Sequence, residues 1–546
     1  MNSSKPKINV LLVGFQDQDN LGLRYLLSAL LAEHFTAKIV SYHTDPGQLV
    51  RQVLEEKPDI VGFSLIFQYM TPAFAKVIAR VREINTDVHI TMGGHYPSFD
   101  YEEVLNRLPE LDSIVRFEGE QTLVELVRRI QLQEDWRLTA GIAFRGEDGN
   151  VTATPLRPSV AELDSLPLPY REDIDYESSD FSTASMLGSR GCPWNCSFCS
   201  IRPFYEAQGG RLRRFRHPDA IVREMAELYR NRNVAIFLFQ DDDFLGGGIH
   251  ARNWAEEIAD GIIRAGLSKK IAFKISCRSD EIHADNMQLL KAGGLTHVYM
   301  GVESGDEQGL ASMNKHLRPE QHIRAAKILK SAGLSFDFGF MLLEPYSTFD
   351  SIRNNIDFLE AFVGDGWTVA SFCRMLPYAG TPVKTRLQSE GRLLGSPFEP
   401  DYHFLDPRID MFYQWMLATF YERNFTNTGL CHLLKSLQFE AHINLPAYQK
   451  FDAGNCMYIQ HLTAVCNGIA MYTLRAAIDY FQHTQATNIR QDNPYLQGLV
   501  MNEKMEERRL TQEILAFYAG VQNKKRKAKP ALASSRPGSF ENSWTL

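Results

Sequence analysis

The chain is expected to be an α/β protein in three parts: a doubly wound parallel sheet, a partial six-unit β/α barrel, and a helical C-terminal domain. Three observations predict this. Short β-rich runs alternate with helix-length amphipathic segments from the N-terminus, and the alternation resumes after residue 182. Runs such as Ile60–Leu65 are apolar without interruption, which suits strands buried on both faces and hence a parallel sheet. Beyond Gly391 the pattern turns helical and aromatic-rich.

In the first part, strands are expected at Ile8–Phe15, Ala37–Ser41, Asp59–Leu65, His89–Met92 and Ser113–Phe117. Helices lie between them, for example at Leu21–Glu33 and Thr71–Glu83. Five such strands make a doubly wound, flavodoxin-like domain over 1–137, whose ligand belongs at the carboxyl ends of the strands. Residues 138–181 read as a linker, because the prolines of Leu163–Pro169 disfavour helix.

The barrel is expected over 182–390. Its strands are the segment Ser182–Leu187, then Ala235–Phe239, Ala272–Ser276, His297–Gly301, Ser335–Leu342 and Val369–Arg374. Six strands, each but the last followed by a helical segment, fit an open barrel better than a closed eight-unit one. Residues 391–522 form the helical domain, with helices such as Met411–Tyr421 and Tyr458–Phe481. The tail 523–546 opens with Lys-Lys-Arg-Lys, continues with Pro, Ser and Gly, and is expected to be disordered.

The bulk numbers narrow the function. A length of 546 residues exceeds one ordinary core. Lys and Arg number 58 against 66 Asp and Glu, a net charge of −8 that argues against a nucleic-acid partner held by phosphate contacts. No long apolar run or signal-peptide core appears, so no membrane span and a cytoplasmic location are expected. Eight cysteines, three of them clustered, suit metal binding better than a disulfide framework.

That cluster is the most informative motif. Cys192, Cys196 and Cys199 are spaced C-x3-C-x2-C in one short loop. Three thiolates can hold three irons of a four-iron cluster and leave the fourth open to a small molecule. The competing reading is zinc with His217 as a fourth ligand, but zinc ligands usually arrive as two pairs rather than on one loop.

The loop, with Phe198 before its last cysteine, resembles the signature of the radical S-adenosylmethionine enzymes. The resemblance implies a 4Fe-4S cluster on the three thiolates, S-adenosylmethionine on the open iron, and an electron donor such as flavodoxin or ferredoxin. It also implies a 5′-deoxyadenosyl radical that takes hydrogen from the substrate. Phe198 is counted with the S-adenosylmethionine contacts. Gln240–Phe244 ends the second barrel strand, where the family places a polar group on the methionine amine; Asp241 and Asp242 are the candidates, with a solvated loop or helix cap as the alternative. Arg278 and Glu303 close the third and fourth strands and resemble groups bordering the adenosyl moiety; an ion pair at the barrel mouth is the competing account. Met375–Pro382 resembles the post-barrel turn of these enzymes. The basic run Arg211–Arg216 reads as a solvated loop in preference to an anion clamp.

In the first domain, Met92–Pro97 and Phe117–Glu120, with Ser64, resemble the cobalamin-binding domain fused to one subfamily of these enzymes. The candidate cobalamin contacts are Asp17, Asp19, Ser64, Gly93, Gly94, Pro97, Glu118 and Gly119. A tight turn and a capped helix are the structural alternatives. One departure stands out: Asp19 occupies the place where many such domains carry the histidine of D-x-H-x-x-G. His43 and His95 are outside candidates for a lower ligand. Cys431, Cys456 and Cys466 lack metal spacing and read as core.

The resemblance implies a cobalamin-dependent radical enzyme that methylates an unactivated carbon. A radical oxidoreductase or cyclase without methyl transfer is the alternative, and a cobalamin sensor or carrier is the alternative of another class. The substrate, whether small molecule, lipid precursor or peptide, is not encoded in any motif.

Overall fold

The computed structural model describes residues 8–16, 19–43, 45–174, 176, 182–443, 445–446, 448–490 and 492–528. They form two compact units. One comprises Met1–Asp175, Ser185–His217 and Leu376–Tyr402; the other comprises Tyr176–Ala184, Pro218–Met375 and His403–Leu546.

The first unit is built on β1 (Asn9–Gly14), α1 (Leu21–Ala32), β2 (Thr36–Ser41), α2 (Pro46–Glu55), β3 (Ile60–Ser64), α3 (Thr71–Ile84), β4 (His89–Gly93), α4 (His95–Phe99), α5 (Tyr101–Arg107), β5 (Ser113–Val115) and α6 (Glu120–Gln131). Two further strands follow, β6 (Ile142–Arg145) and β7 (Val151–Ala153). The sheet order is β2-β1-β3-β4-β5-β6-β7. Strands β1 to β5 run parallel, while β6 and β7 are antiparallel additions. Alternation along β1 shows why the sheet is covered twice. Leu11 and Val13 enter one core with Leu49, Val53, Phe74 and Val77, and Val10 and Leu12 enter the other with Leu23, Leu27, Leu123 and Leu126. Each fully buried side chain of this kind contributes about 1.5–3 kcal/mol.

The linker expected over 138–181 is corrected in its first part. Ile142, Ala143 and Phe144 are buried. They zip onto β5, which would otherwise expose a bare strand edge.

The chain continues through β8 (Thr183–Met186), β9 (Ser189–Arg190), α7 (Ile201–Ala207), β10 (Arg214–Phe215), α8 (Pro218–Arg232), β11 (Ile236–Phe239), α9 (Ile249–Arg264), β12 (Ala272–Arg278), α10 (Ala284–Gly293), β13 (Leu295–Glu303), α11 (Glu307–Ser312), α12 (Pro319–Ala332), β14 (Ser335–Leu343), α13 (Phe349–Val363), β15 (Cys373–Arg374) and α14 (Pro382–Ser389). A six-stranded sheet results, in the order β15-β14-β13-β12-β11-β8. The six expected strands are all present in it. Phe336, Phe338 and Phe340 of β14 face α13, where they meet Phe358 and Phe362. The intervening residues of β14 therefore point to the opposite, inner face.

A hairpin, β16 (Leu393–Gly395) with β17 (Pro400–Tyr402), precedes α15 (Pro407–Phe425), α16 (Leu430–His442), α17 (Ala453–His483) and α18 (Pro494–Ala528). Helices α16, α17 and α18 share a core of Leu434, Leu437, Ile459, Leu462, Leu510 and Ile514, and Cys431 and Cys466 lie in it as expected. Three boundaries differ from expectation: residues 185–217, expected in the barrel, belong to the first unit. Residues 376–402 belong to the first unit, where Ala379 and Phe398 join the core of the doubly wound sheet. Helix α18 continues to Ala528 through the basic run expected to begin a disordered tail, because no proline or glycine interrupts it there. The rest of that tail, 529–546, lies outside the described residues.

Candidate functional site

Strands β9 and β10 pair antiparallel, with Arg190 opposite Arg214, and so close the loop that carries the three cysteines. Gly191 opens the loop at φ +93°, and a Cβ there would lie 1.8 Å from the Leu212 carbonyl oxygen. Only glycine allows this crossing. Cys192, Cys196 and Cys199 form no disulfide among the described residues and are all partly exposed, as is Phe198. The Ile201 backbone N–H donates to Cys199 Sγ at 3.5 Å. The Val383 N–H donates to the Ser197 carbonyl at 2.9 Å, tying the N-terminus of α14 to the loop.

A buried ion-pair network anchors the base of this loop. Glu118, just beyond β5, accepts from Arg190 Nη1 at 3.0 Å and Arg214 Nη2 at 2.7 Å. Arg190 also reaches Glu120 at 2.6 Å, and the Val160 N–H donates to Glu118 at 3.0 Å. Burial alone would raise the Glu118 pKa, but the Arg214 hydrogen bond and the two guanidinium charges outweigh it and hold the carboxyl below the usual range. The side chain of Glu118, expected as a cobalamin contact, is engaged by two arginines that flank the cysteine loop. One expectation changes here. The basic run is not a solvated loop: Arg214 is buried against Glu118, and Arg216 is buried against Asp164 at 3.0 Å. Strict charge balance inside a protein explains why runs like this cannot be read by charge count alone.

Helix α7, directly after the loop, rests on the same sheet. Phe204 packs edge-on to Phe117 at 5.0 Å and stacks on His95 at 4.1 Å. Burial lowers the His95 pKa to about 4, so the ring is neutral.

At the carboxyl edge of the doubly wound sheet, Ser64 lies in register with Gly93. Gly94 has φ +122°, and a Cβ there would stand 2.0 Å from the Leu65 carbonyl oxygen, so the chain turns flat against β3. Gly119 also sits at this edge, whereas Pro97 is buried within α4. Beside them Ile66, Phe67 and Tyr69 are exposed, the two rings stacked at 5.7 Å. An uncovered apolar patch at the ligand edge of such a sheet fits a broad, flat ring system. The signal was present in the sequence as an apolar run that outlasts the strand. Asp19, at φ +56°, is engaged by Arg24 and by Arg171 Nη1 at 2.7 Å. It ties α1 to the chain entering β8 and accepts from the Ser185 N–H at 3.2 Å. Asp17 lies outside the described residues.

In the second unit, Asp241 and Asp243 are buried after β11 and Asp242 is exposed. Asp243 accepts from the Gly246 N–H at 3.0 Å. It also bonds Glu281, whose pKa burial and the neighbouring carboxylate push up to about 9. Arg278 pairs with Asp280 at 3.0 Å and donates to the Lys315 carbonyl at 2.9 Å. Glu303, at φ +69°, pairs with Lys315 at 3.4 Å. The ion-pair account of Arg278 and Glu303 is thus what the strand ends display.

Among the described residues no three His, Cys, Asp or Glu side chains converge on a point suited to a single ion. Three partly open thiols on one loop instead fit a group that takes one sulfur per metal atom.

Residues 9–127 match the B12 binding domain family and residues 186–359 match the Radical SAM superfamily. The chain is 29% identical over 367 residues to an uncharacterized methyltransferase of Pyrococcus horikoshii, covering 66% of this chain and 76% of that one. It is 31% identical over 307 residues to the anaerobic magnesium-protoporphyrin IX monomethyl ester cyclase of Rubrivivax gelatinosus, covering 54% and 53%. The fold resembles that of the cobalamin-dependent S-adenosylmethionine radical enzyme OxsB, solved with aqua-cobalamin and S-adenosylmethionine, with a TM-score of 0.70, 18% identity, and coverage of 94% and 80%.

Proposed function

Because the chain belongs to the cobalamin-dependent radical S-adenosylmethionine enzymes, we propose that it methylates an unactivated carbon of a biosynthetic substrate. One observation carries the reading: the thiol loop and the candidate corrin edge belong to a single compact unit, joined through Glu118, Arg190 and Arg214. Two cofactors that must serve one substrate in turn need such a shared rigid base. The likeness to a methyltransferase supports the choice of methyl transfer.

When bound, the cofactors supply a reductively generated adenosyl radical and a transferable methyl group. The chain's own residues position them. Cys192, Cys196 and Cys199 hold the cluster, with the Ile201 N–H donating to Cys199. Asp241 and Asp242 receive the methionine amine. Arg278 and Glu303 frame the adenosyl end through their ion pairs. Ser64, Gly93, Gly94 and Gly119 admit the corrin, and Phe67 and Tyr69 shield one of its faces from water. Asp19, at the place of the motif histidine, is held by arginines, and His95 is stacked on Phe204. Electrons come from a small donor such as flavodoxin or ferredoxin.

The cyclase reading has its own support in the 31% identity to the protoporphyrin ester cyclase. Turnover of a candidate substrate with methyl-labelled S-adenosylmethionine separates the two. Label in the product is expected; unlabelled product formed with 5′-deoxyadenosine would favour cyclisation.

A further inference from the structure

The inner face of the six-stranded sheet carries polar residues that the cofactors leave unused. Opposite the phenylalanines of β14 stands Asp337, in register with Tyr299 of β13. On β12, Lys274 is in register with His297 and Ser276 with Tyr299. Helix α16 brings Lys435 to the same group, and its Phe439 packs edge-on to His297 at 5.5 Å.

Asp337 and His297 are already engaged. Asp337 accepts from Thr368 Oγ1 at 3.1 Å and lies 3.8 Å from His297, which itself meets Ser335 at 2.9 Å. The two ammonium groups are not. Among the described residues, Lys274 and Lys435 make no hydrogen bond or ion pair, and Lys274 Nζ lies only over the Tyr299 ring, 5.8 Å from its centre. The region is deep in the unit yet not filled, since Asp337 keeps 18% of its side-chain surface open and Glu303 keeps 13%.

Charge counting shows what is missing. Burial lowers the His297 pKa to about 3, so His297 is neutral. Burial raises Cys373 to about 12 and Tyr299 well above its ordinary value, so both keep their protons. Glu303 and Lys315 offset each other. Two ammoniums then face one carboxylate, and burial pulls the Lys274 pKa down because Asp337 compensates it only in part.

We infer that this interior binds an anionic group of the substrate, a carboxylate or a phosphate, through Lys274, Lys435 and Tyr299. The inference rests on the proposed function and narrows its substrate class: an acid-bearing molecule is selected over a bare hydrocarbon. An incoming anion replaces the missing negative charge and accepts charge-assisted hydrogen bonds from both lysines.

The test uses full-length, cofactor-loaded protein titrated with inorganic phosphate and, separately, acetate, at ionic strength held constant with chloride. Thermal unfolding and protection of Lys274 from amine acetylation, read by mass spectrometry, report binding. One of the two anions is expected to protect saturably, which tells phosphate from carboxylate recognition. Lys274→Met and Lys435→Met should each weaken it by about tenfold or more. If Lys274→Met fails to fold, Lys435→Met and the protection assay still decide. Equal behaviour of both anions and chloride, or variants that bind like the parent, would overturn the inference. Iron and cobalamin content of the same samples report separately on the proposed function.

Discussion

Arg190 Nη1 lies 3.0 Å from Glu118 Oε1, joining the residue two places before Cys192 to the loop that ends β5. Replacing Glu118 with alanine leaves two buried guanidiniums short of a partner, at a cost of about 3–5 kcal/mol. Urea unfolding of Glu118→Ala should show that loss, and iron content after anaerobic reconstitution should fall with it. Unchanged iron incorporation would mean that the network does not hold the loop.

Acid should act through the same carboxylate. Glu118 titrates lower in the folded chain than unfolded, so its contribution is full above the ordinary carboxylate range and is lost as pH falls through the folded value. Glu118→Gln should therefore flatten the acid limb of the stability curve below about pH 4.5.

Glu281 runs the other way. Its folded pKa of about 9 means the folded chain holds a proton that the unfolded chain releases, so stability falls as pH climbs from the ordinary carboxylate range toward 9. Glu281→Gln keeps the hydrogen bond to Asp243 without the titration. Its stability advantage over the parent, measured by denaturant titration, should grow steadily across that window.

Two glycines separate clash from freedom. Gly94→Ala would place Cβ 2.0 Å from the Leu65 carbonyl at φ +122°, and should cost about 2–5 kcal/mol and weaken cobalamin uptake. Gly468→Ala, in the interior of α17 with nothing within 4 Å, should instead stabilise by about 0.5–1 kcal/mol. Thermal unfolding of the pair measures both signs.

Much of this architecture was legible in the chain. The apolar run of Ile60–Leu65 and its neighbours marks the doubly wound sheet, and the three cysteines mark the loop. The β6–β7 hairpin escaped because a three-residue apolar stretch is too short to show a period. Arg214 and Arg216 were misread for a different reason. Partners 42 to 96 residues apart cannot be paired from local sequence, so a buried network looks like ordinary surface charge. Lys274, unpaired among the described residues, was hidden likewise, since only sheet register brings it beside Tyr299 and Asp337.

The most direct measurement is 5′-deoxyadenosine release by anaerobically reconstituted protein with S-adenosylmethionine and a reductant, compared between the parent and Cys196→Ala. The parent should assemble the cluster and release the nucleoside, and the variant should do neither. Full cluster content and normal release from Cys196→Ala would contradict the assignment of the thiol loop, and with it the function proposed for the chain.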